Sequence, residues 1–456
     1  MDRSDVIVIG SGQGGVPLAM AMARQGRRVV MFERNAWGGC CVNYGCTPSK
    51  AFLASAHAAA EARRAAELGV RARVEVDFGA VMHRVREMVS TWTSGVQQRL
   101  REAGVRMVHA EARFSGRRRV TGGDVTVEAP LVVINTGASP SVPPIDGLER
   151  TPYLTYETFW GLRGLPRRMV VVGAGYSGLE LGQGMARLGS TVYMVDTNDR
   201  PIHTEELDVS RALGEALYDD GVTFRLSNRV EGVHHGDGVN DVTLQDGERL
   251  QCEALLLTTG RRPNTAALNA DASDVGLDER GYVRVDDALR TTCEGVYAIG
   301  DVTGQPAFTH VSYEDYRRLM AILNGEERRR RDRVLSYAFF TEPQVGRAGL
   351  TLEQAREQGH RAREVTRPLE SVARATETGH TLGFYRLVVD EDDDRILGAT
   401  LVSPTAAELI HILTVLIESG ATWQSLADCV FIHPTWAEGL TSLARQLEPE
   451  RQRAAT

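Results

Sequence analysis

The sequence predicts an α/β protein with two Rossmann-like dinucleotide-binding domains followed by a C-terminal α+β domain. A strand, a glycine loop, a helix and a second strand occur twice in that order, and after about residue 335 the pattern changes to paired strands and a helix. The 456 residues, 42% of them hydrophobic, suffice for about two to four domains with separate cores. We expect boundaries that divide the chain into 1–150, 151–268, 269–335 and 336–456.

The first unit begins with an apolar run at residues 5–9, which is typical of a buried strand. The glycines that follow allow a tight turn and let a pyrophosphate approach the N-terminus of a helix predicted over 16–23. The next strand, 28–32, ends at Glu33, an acid placed to accept hydrogen bonds from ribose hydroxyls. The glycines of this motif are Gly10, Gly12 and Gly15.

The same construction returns 163 residues later, between strands predicted at 169–172 and 192–196. Its matching residues are Gly173, Gly175, Gly178 and Asp196. A single glycine motif is weak evidence, whereas four positions repeated at one constant offset indicate a true internal repeat. The sequence therefore predicts two dinucleotide sites in one chain.

Each unit is followed by a strand that returns to its nucleotide. Residues 129–134 lead to Thr136 and Gly137 at the first site, and residues 255–257 lead to Gly260 at the second. Since the carboxyl ends of parallel strands face the ligand in such folds, we expect these residues to contribute to the two binding sites.

A further buried strand at 296–299 ends at Asp301. Its carboxylate either accepts hydrogen bonds from a polyol chain or serves as an ordinary turn residue. Beyond it, strands at 385–389 and 396–402 and a helix over 406–419 predict the separate α+β domain.

Composition and charge exclude several classes of protein. No apolar stretch approaches the roughly 20 residues of a membrane helix, and Met1 leads into the first strand without a signal-peptide pattern. We therefore expect a cytoplasmic protein without membrane association. The charge run at 326–333 has acidic flanks in a chain of net charge -8, which favours a solvated connector over a nucleic-acid surface.

Three of the six cysteines, Cys40, Cys41 and Cys46, lie just ahead of Lys50, the only lysine among 52 basic residues. Two thiols five positions apart at a helix start can come within disulfide reach, and a helix N-terminus lowers a thiol pKa. An exchangeable disulfide is predicted; a zinc pair is the alternative, but no second pair completes four ligands, so no metal site is expected. Cys40 is either a packed side chain or a third redox partner. The remaining cysteines, predicted as buried core thiols, are Cys252, Cys293 and Cys429.

The chain resembles the class I pyridine nucleotide–disulfide oxidoreductases over its whole length. The motifs that carry this resemblance lie at residues 38–50, 258–265 and 298–304. Segments 308–316 and 345–350 are most similar to the branch of mercuric reductase and the reactive-chlorine-resistance flavoprotein. The resemblance implies FAD in 1–150 together with 269–335, and NADH, with NADPH as the second possibility, in 151–268. It also implies dimerisation through 336–456.

The resemblance implies roles at single positions within the CxxxxC motif and around it. Cys46 would be the flavin-proximal thiol and Cys41 the interchange thiol. Lys50 would lie near flavin N5, where a cation stabilises the charge of the reduced flavin. Glu180 would pair with Lys50, and Tyr176 would shield the nicotinamide pocket.

The tail segment 431–438 resembles the HPTxxE motif of the family. That likeness implies that His433 protonates and deprotonates the interchange thiol and that Glu438 orients the imidazole. In the family this histidine comes from the partner subunit, so a homodimer is implied.

We therefore expect an enzyme that passes electrons from NAD(P)H through FAD and the Cys41–Cys46 disulfide to a small disulfide or an oxidised metal ion. A small dithiol is the expected partner in the reverse direction. Dihydrolipoamide dehydrogenase and mercuric reductase are the alternative activities. Mercury is disfavoured because no cysteine pair follows Cys429 and no metal-binding module precedes residue 1. A flavin-binding assembly or signalling protein is the non-enzymatic alternative; the retained thiols, lysine and histidine argue against it.

Overall fold

The structure, a computed structural model, describes residues 2–448. The expected start at Met1 and residues 449–456 of the predicted C-terminal segment lie outside the described residues. Within 2–448, no helix is both long and apolar enough to cross a membrane. The expected cytoplasmic location stays a prediction.

The first domain is built on a five-stranded parallel sheet whose central strands are buried along their full length. Apolar residues at every position suit a strand that is covered by helices on both faces. In spatial order the strands are Val296–Ala298, Leu131–Ile134, Val6–Ile9, Val29–Glu33 and Arg106–His109. The helices are Gly15–Arg24, Gly39–Asn43, Cys46–Arg64, Phe78–Glu102 and Thr309–Leu323.

The second domain repeats this plan with a four-stranded parallel sheet. In spatial order its strands are Val222–Arg225, Thr191–Val195, Arg168–Val172 and Ala254–Leu257, and its helices are Tyr176–Leu188 and Leu207–Asp219. The chain enters it after Leu131–Ile134 and leaves it before Val296–Ala298, which pairs with that same strand. The second domain is therefore inserted into the first.

Three smaller sheets accompany the two nucleotide folds, and the sequence patterns did not predict them. One has the order Asp2–Arg3, Val125–Glu128, Arg119–Gly122 and Arg113–Gly116. A second consists of Val230–Gly236, Val239–Leu244 and Arg249–Cys252, and a third of Arg261–Pro263 and Ala138–Pro140.

The C-terminal domain is a five-stranded antiparallel sheet with helices packed on it. In spatial order the strands are Ser336–Phe339, Gln344–Gly349, Ile396–Ser403, Phe384–Asp390 and Ala362–Pro368. The helices are Leu352–Glu357, Ala373–Thr378, Ala406–Glu418, Trp423–Ala427 and Glu438–Ala444. Tyr385, Leu401 and Leu413 are fully buried in its core.

The predicted fold class of two dinucleotide-binding folds plus an α+β domain is confirmed; the proposed domain boundaries stay predictions. One local prediction was wrong: Cys429 is exposed, whereas Cys252 and Cys293 are buried as expected. The charged connector 326–333 is largely exposed, as predicted. Within it, Arg330 bonds to Gln305 at 3.0 Å and Arg333 pairs with the buried Asp315 at 2.5 Å.

Candidate active site

The two glycine loops have the same backbone geometry. Gly10 and Gly173 adopt φ of +100° and +106°, a region that favours glycine. A Cβ added at Gly15 would lie 2.3 Å from the Gly10 carbonyl oxygen, and one added at Gly178 would lie 2.1 Å from that of Gly173. Only glycine permits this close packing of loop and helix, so the repeat predicted from spacing is a repeat of structure.

The acid after each second strand braces its own glycine loop. Glu33 accepts a hydrogen bond from the Ser11 N–H at 2.9 Å, and Asp196 accepts one from the Ala174 N–H at 2.6 Å. These pairs are again related by the offset of 163 residues. Glu33 also lines a large cavity that begins at the first glycine loop. Its expected contact with a ribose stays a prediction.

A cavity of about 810 Å³ runs from the first glycine loop to the edge of the C-terminal domain. The predicted site residues that line it are Gly10, Gly12, Glu33, Cys41, Cys46, Lys50, Thr136, Gly137, Tyr176, Glu180 and Asp301. The predicted residues outside its lining are Gly15, Gly173, Gly175, Gly178, Asp196, Gly260, His433 and Glu438.

The cavity fits an elongated dinucleotide such as FAD. The hydroxyl of Thr136 is buried with no hydrogen-bond partner among the described residues, as expected of a group that awaits a ligand. A Cβ added at Gly12 would lie 3.0 Å from the Asn135 side-chain oxygen, so a larger residue there would crowd the floor of the cradle.

The second glycine loop lies outside this cavity but leads to it. Gly175 precedes the helix Tyr176–Leu188, and a Cβ added there would meet no atom within 4 Å. Gly260 adopts φ of +110° at the exposed start of Arg261–Pro263. This loop therefore has an open approach, which suits a nucleotide that enters and leaves.

Cys41 lies in the helix Gly39–Asn43, and Cys46 is the first residue of Cys46–Arg64. Both are free thiols, close enough for Cys41 to share its proton with Cys46. That hydrogen bond, with help from Thr309 and Lys50, lowers the pKa of the Cys46 thiol although burial opposes it. The pKa of Cys41 is raised, because it keeps the shared proton and is buried. These directions favour a division of the pair into a Cys46 thiolate and a Cys41 thiol.

The neighbouring Cys40 differs from this pair. Burial raises the pKa of its thiol to about 12, which leaves it protonated at neutral pH. A protonated thiol is a poor nucleophile, but Cys40 is half-buried and lines the same cavity as Cys41 and Cys46, so its two predicted roles both stay predictions.

Lys50 of the first domain contacts one residue of each of the other two domains. Its ammonium bonds to Glu180 at 2.8 Å and lies 4.5 Å from the centre of the Phe340 ring. The second oxygen of Glu180 accepts the Phe340 N–H at 2.8 Å. The predicted Lys50–Glu180 pair is therefore present, and its supporting contact from the C-terminal domain is one that sequence reasoning missed.

Asp301 is held by another residue that the sequence did not single out. Arg261 forms an ion pair with Asp301 at 3.0 Å and lies over the Tyr156 ring at 5.0 Å. Burial raises the pKa of Asp301, although Arg261 opposes that effect. The carboxylate lines the cavity and is paired with Arg261, and its expected contact with a polyol chain stays a prediction.

His433 bonds to Glu438 through Nδ1 at 2.8 Å, as the motif implied. The imidazole is 71% exposed and is not among the described residues that line the cavity. Its neighbours Val430 and Ile432 are 97% and 78% exposed. Within one protomer, the histidine is oriented by its glutamate but lies away from the thiols' cavity.

Fold and site together define an oxidoreductase that binds two nucleotides and carries a thiol pair beside the first. The family model described as pyridine nucleotide-disulphide oxidoreductase matches residues 4–315, and that of its dimerisation domain matches 335–444. The chain belongs to this family of FAD-dependent NAD(P)H oxidoreductases. The dimerisation domain implies a homodimer.

Relatives with different activities are similar to the chain over nearly its full length. A dihydrolipoyl dehydrogenase of Halobacterium salinarum is 33% identical, covering 97% of this chain and 95% of that protein. A mercuric reductase of Lysinibacillus sphaericus is 32% identical, covering 96% and 82%. The solved Cu(II) complex of the HOCl-induced flavoprotein disulfide reductase RclA from Escherichia coli has a TM-score of 0.90 at 30% identity, covering 98% of this chain and 100% of that one.

Proposed function

We propose that the protein passes electrons from NADH through FAD and the Cys41–Cys46 pair to a small disulfide or an oxidised metal ion. The observation that carries this proposal is the divided thiol pair, with Cys46 favoured as thiolate and Cys41 as its proton donor inside the large cavity. When bound, FAD supplies two-electron chemistry between a nicotinamide and this pair.

The chain's own residues account for the acceptor half of the reaction. After deprotonation, Cys41 attacks one sulfur of the acceptor disulfide and releases the first thiolate. Cys46 then attacks Cys41, which releases the second thiolate and closes the Cys41–Cys46 disulfide. One dithiol is oxidised and one disulfide is reduced. His433 of the partner subunit takes the Cys41 proton and returns it to the leaving thiolate.

A metal ion would use the same pair without a mixed disulfide. Thiolates are soft ligands that favour copper, and the solved relative is a Cu(II) complex. Two Cu(II) ions would each accept one electron from the dithiol, giving two Cu(I), the Cys41–Cys46 disulfide and two protons. We place this acceptor second, because the bound copper is a property of the relative.

The proposed function is tested by a steady-state screen with NADH. Low-molecular-weight disulfides, Cu(II) and Hg(II) are compared on the wild type and on Cys41→Ser, and the reverse direction is measured with dihydrolipoamide and NAD⁺. We expect turnover of a disulfide that Cys41→Ser abolishes. Acceptor turnover that survives in Cys41→Ser would show that electrons leave from the flavin and would refute the relay.

NADH is expected to be preferred over NADPH. Asp196 follows the strand Thr191–Val195, where a carboxylate accepts from a ribose 2′-hydroxyl and repels a 2′-phosphate. Arg200, the nearby cation, bonds instead to the carbonyl oxygens of His203 and Glu205. A like-charge contact of about 1–3 kcal/mol corresponds to roughly a 5- to 150-fold preference in kcat/KM.

The matched variant for nucleotide choice is Asp196→Asn, which removes the charge but keeps the shape. The ratio of kcat/KM for the two nucleotides should move towards NADPH. Equal or better kcat/KM with NADPH in the wild type would show that Asp196 does not select the nucleotide.

Thr309→Val is expected to raise the pKa of the Cys46 thiol. The Thr309 hydroxyl lies 3.0 Å from Cys46 Sγ and can donate to the thiolate. A hydrogen bond to a charged acceptor contributes about 1.5–3 kcal/mol, which is a tenfold or larger change in acidity. In the two-electron-reduced protein, the Cys46 thiolate beside oxidised flavin should give a long-wavelength absorbance. As the pH is lowered, this absorbance should therefore disappear at a higher pH in Thr309→Val than in the wild type. Thr309→Ser, which keeps the hydroxyl, should retain the wild-type profile; an unchanged profile in Thr309→Val would exclude this contact.

A further inference from the structure

The strand Ser336–Phe339 brings two aromatic rings of the C-terminal domain against Tyr176 of the second domain and Phe308 of the first. Phe339 stacks on Tyr176, with centroids 5.7 Å apart and planes 3° apart. Tyr337 stacks on Phe308 at 5.1 Å and 7°, and it also contacts Phe339 at 5.6 Å. Phe308 lies 6.1 Å from Tyr176, which closes the set. We call these four rings the aromatic group.

A buried ionic contact anchors the aromatic group. The Tyr337 hydroxyl donates to Glu205 at 2.8 Å, and the other oxygen of Glu205 accepts from Arg347 at 2.7 Å. The side chains of Arg347 and Glu205 are only 6% and 4% exposed. Because Glu205 belongs to the second domain and Arg347 to the C-terminal sheet, the anchor fixes the strand that carries Phe339 relative to Tyr176.

Tyr176 stands between the second glycine loop and the Lys50 end of the cavity. It directly follows Gly175 and lies one helical turn before Glu180, the partner of Lys50. Its ring lines the cavity, whereas Phe339, 3% exposed, packs behind it. A nicotinamide that reaches Lys50 from this loop must pass the Tyr176 ring.

Resting on the proposed role of Tyr176 as the cover of the nicotinamide pocket, we propose that Phe339 and Tyr337 are positioning residues that hold this cover closed. Nicotinamide entry then displaces the Tyr176 ring and breaks its stack on Phe339. The stability of such an aromatic pair corresponds to roughly a 2- to 12-fold shift in the equilibrium between the closed and displaced positions of the Tyr176 ring. The apparent affinity for the nucleotide is reduced by that factor, because the closed state competes with binding. The C-terminal domain thereby sets nicotinamide affinity in its own subunit.

The test measures NAD⁺ binding to the oxidised holoenzyme by titration calorimetry, which is independent of turnover. Phe339→Leu keeps apolar volume but removes the stack, and it is expected to bind NAD⁺ roughly 2- to 12-fold more tightly. KM for NADH should fall in parallel, while the maximal rate of flavin reduction is retained.

Two further variants separate positioning from general packing. Phe384→Leu is the matched control: Phe384 is a buried aromatic residue of the same domain, but its ring packs on Arg386, at 5.0 Å. It should leave NAD⁺ affinity unchanged. Tyr337→Phe keeps the ring and removes only the hydrogen bond to Glu205, so it should increase NAD⁺ affinity less than Phe339→Leu does. This second variant also tests the proposal when Phe339→Leu folds poorly.

A double-mutant cycle decides the proposal. Tyr176→Ala should bind NAD⁺ more tightly than the wild type, and adding Phe339→Leu should have no further effect, because the held ring is already absent. The proposal is overturned when Phe339→Leu gains no more affinity than Phe384→Leu, or gains the same in both backgrounds. Failure of NADH to bleach the wild-type flavin would instead refute the proposed function.

Discussion

Cys46→Ser is expected to retain FAD and yet lose NADH-dependent disulfide reduction by roughly 10³-fold or more, since residues that act as one catalytic unit cannot substitute for each other. The lowered pKa of Cys46 makes it the thiolate of the reduced pair. Two-electron reduction of the wild type should therefore produce a long-wavelength absorption band from this thiolate beside oxidised flavin. The band should be absent from Cys46→Ser.

Cys293→Ser is the control for this substitution. Cys293 is buried in the first domain, where its thiol lies 3.6 Å from the Arg117 carbonyl oxygen, so serine preserves the polar contact. Both the band and turnover should be unchanged. A colourless wild-type protein that takes up no FAD, or a band that persists in Cys46→Ser, would contradict the assignment.

His433→Ala is expected to slow the disulfide half-reaction by about 10²- to 10⁴-fold, the usual contribution of a general acid–base. Reduction of FAD by NADH should be nearly unaffected, because that step does not involve the thiol proton. Stopped-flow measurement of the two half-reactions separates these effects. Glu438→Gln, which keeps a hydrogen-bond acceptor near Nδ1, should give a smaller loss.

Subunit mixing tests whether His433 acts on the other chain. Equal amounts of Cys41→Ser and His433→Ala protein, exchanged at random, should recover about a quarter of wild-type sites, because only one of the two sites in each mixed dimer is intact. The exposed Val430 and Ile432 beside His433 are the surface that a partner would cover. No rescue despite demonstrated exchange, or a fully active monomer by sedimentation, would refute a shared site.

Short sequence patterns predicted the structural features that depend on the backbone conformation of single residues. The glycine loops were found because Gly10 and Gly173 have a backbone conformation that only glycine adopts readily, and this need is visible in the sequence. The partners Thr309 and Phe340 were missed because they lie 263 and 160 residues from Cys46 and Glu180, with no periodicity to connect them.

The error at Cys429 has a different cause. A solitary cysteine is by default expected in a core, but Cys429 and its apolar neighbour Val430 are both exposed in the protomer. Hydrophobicity alone does not distinguish a residue buried in its own domain from one that faces another subunit. The same ambiguity affects any apolar segment of a dimerisation domain.

The insertion of the second domain also determines the order in which the chain can fold during synthesis. The edge strand Val296–Ala298 hydrogen-bonds to Leu131–Ile134, so the first sheet stays incomplete until about 160 further residues have been translated. At 5–20 residues per second, that delay is roughly 10–30 s. The inserted domain has all four strands of its parallel sheet within residues 168–257 and can fold in this interval. The nascent chain can therefore complete the parallel sheet of the second domain before the five-stranded sheet of the first domain is closed.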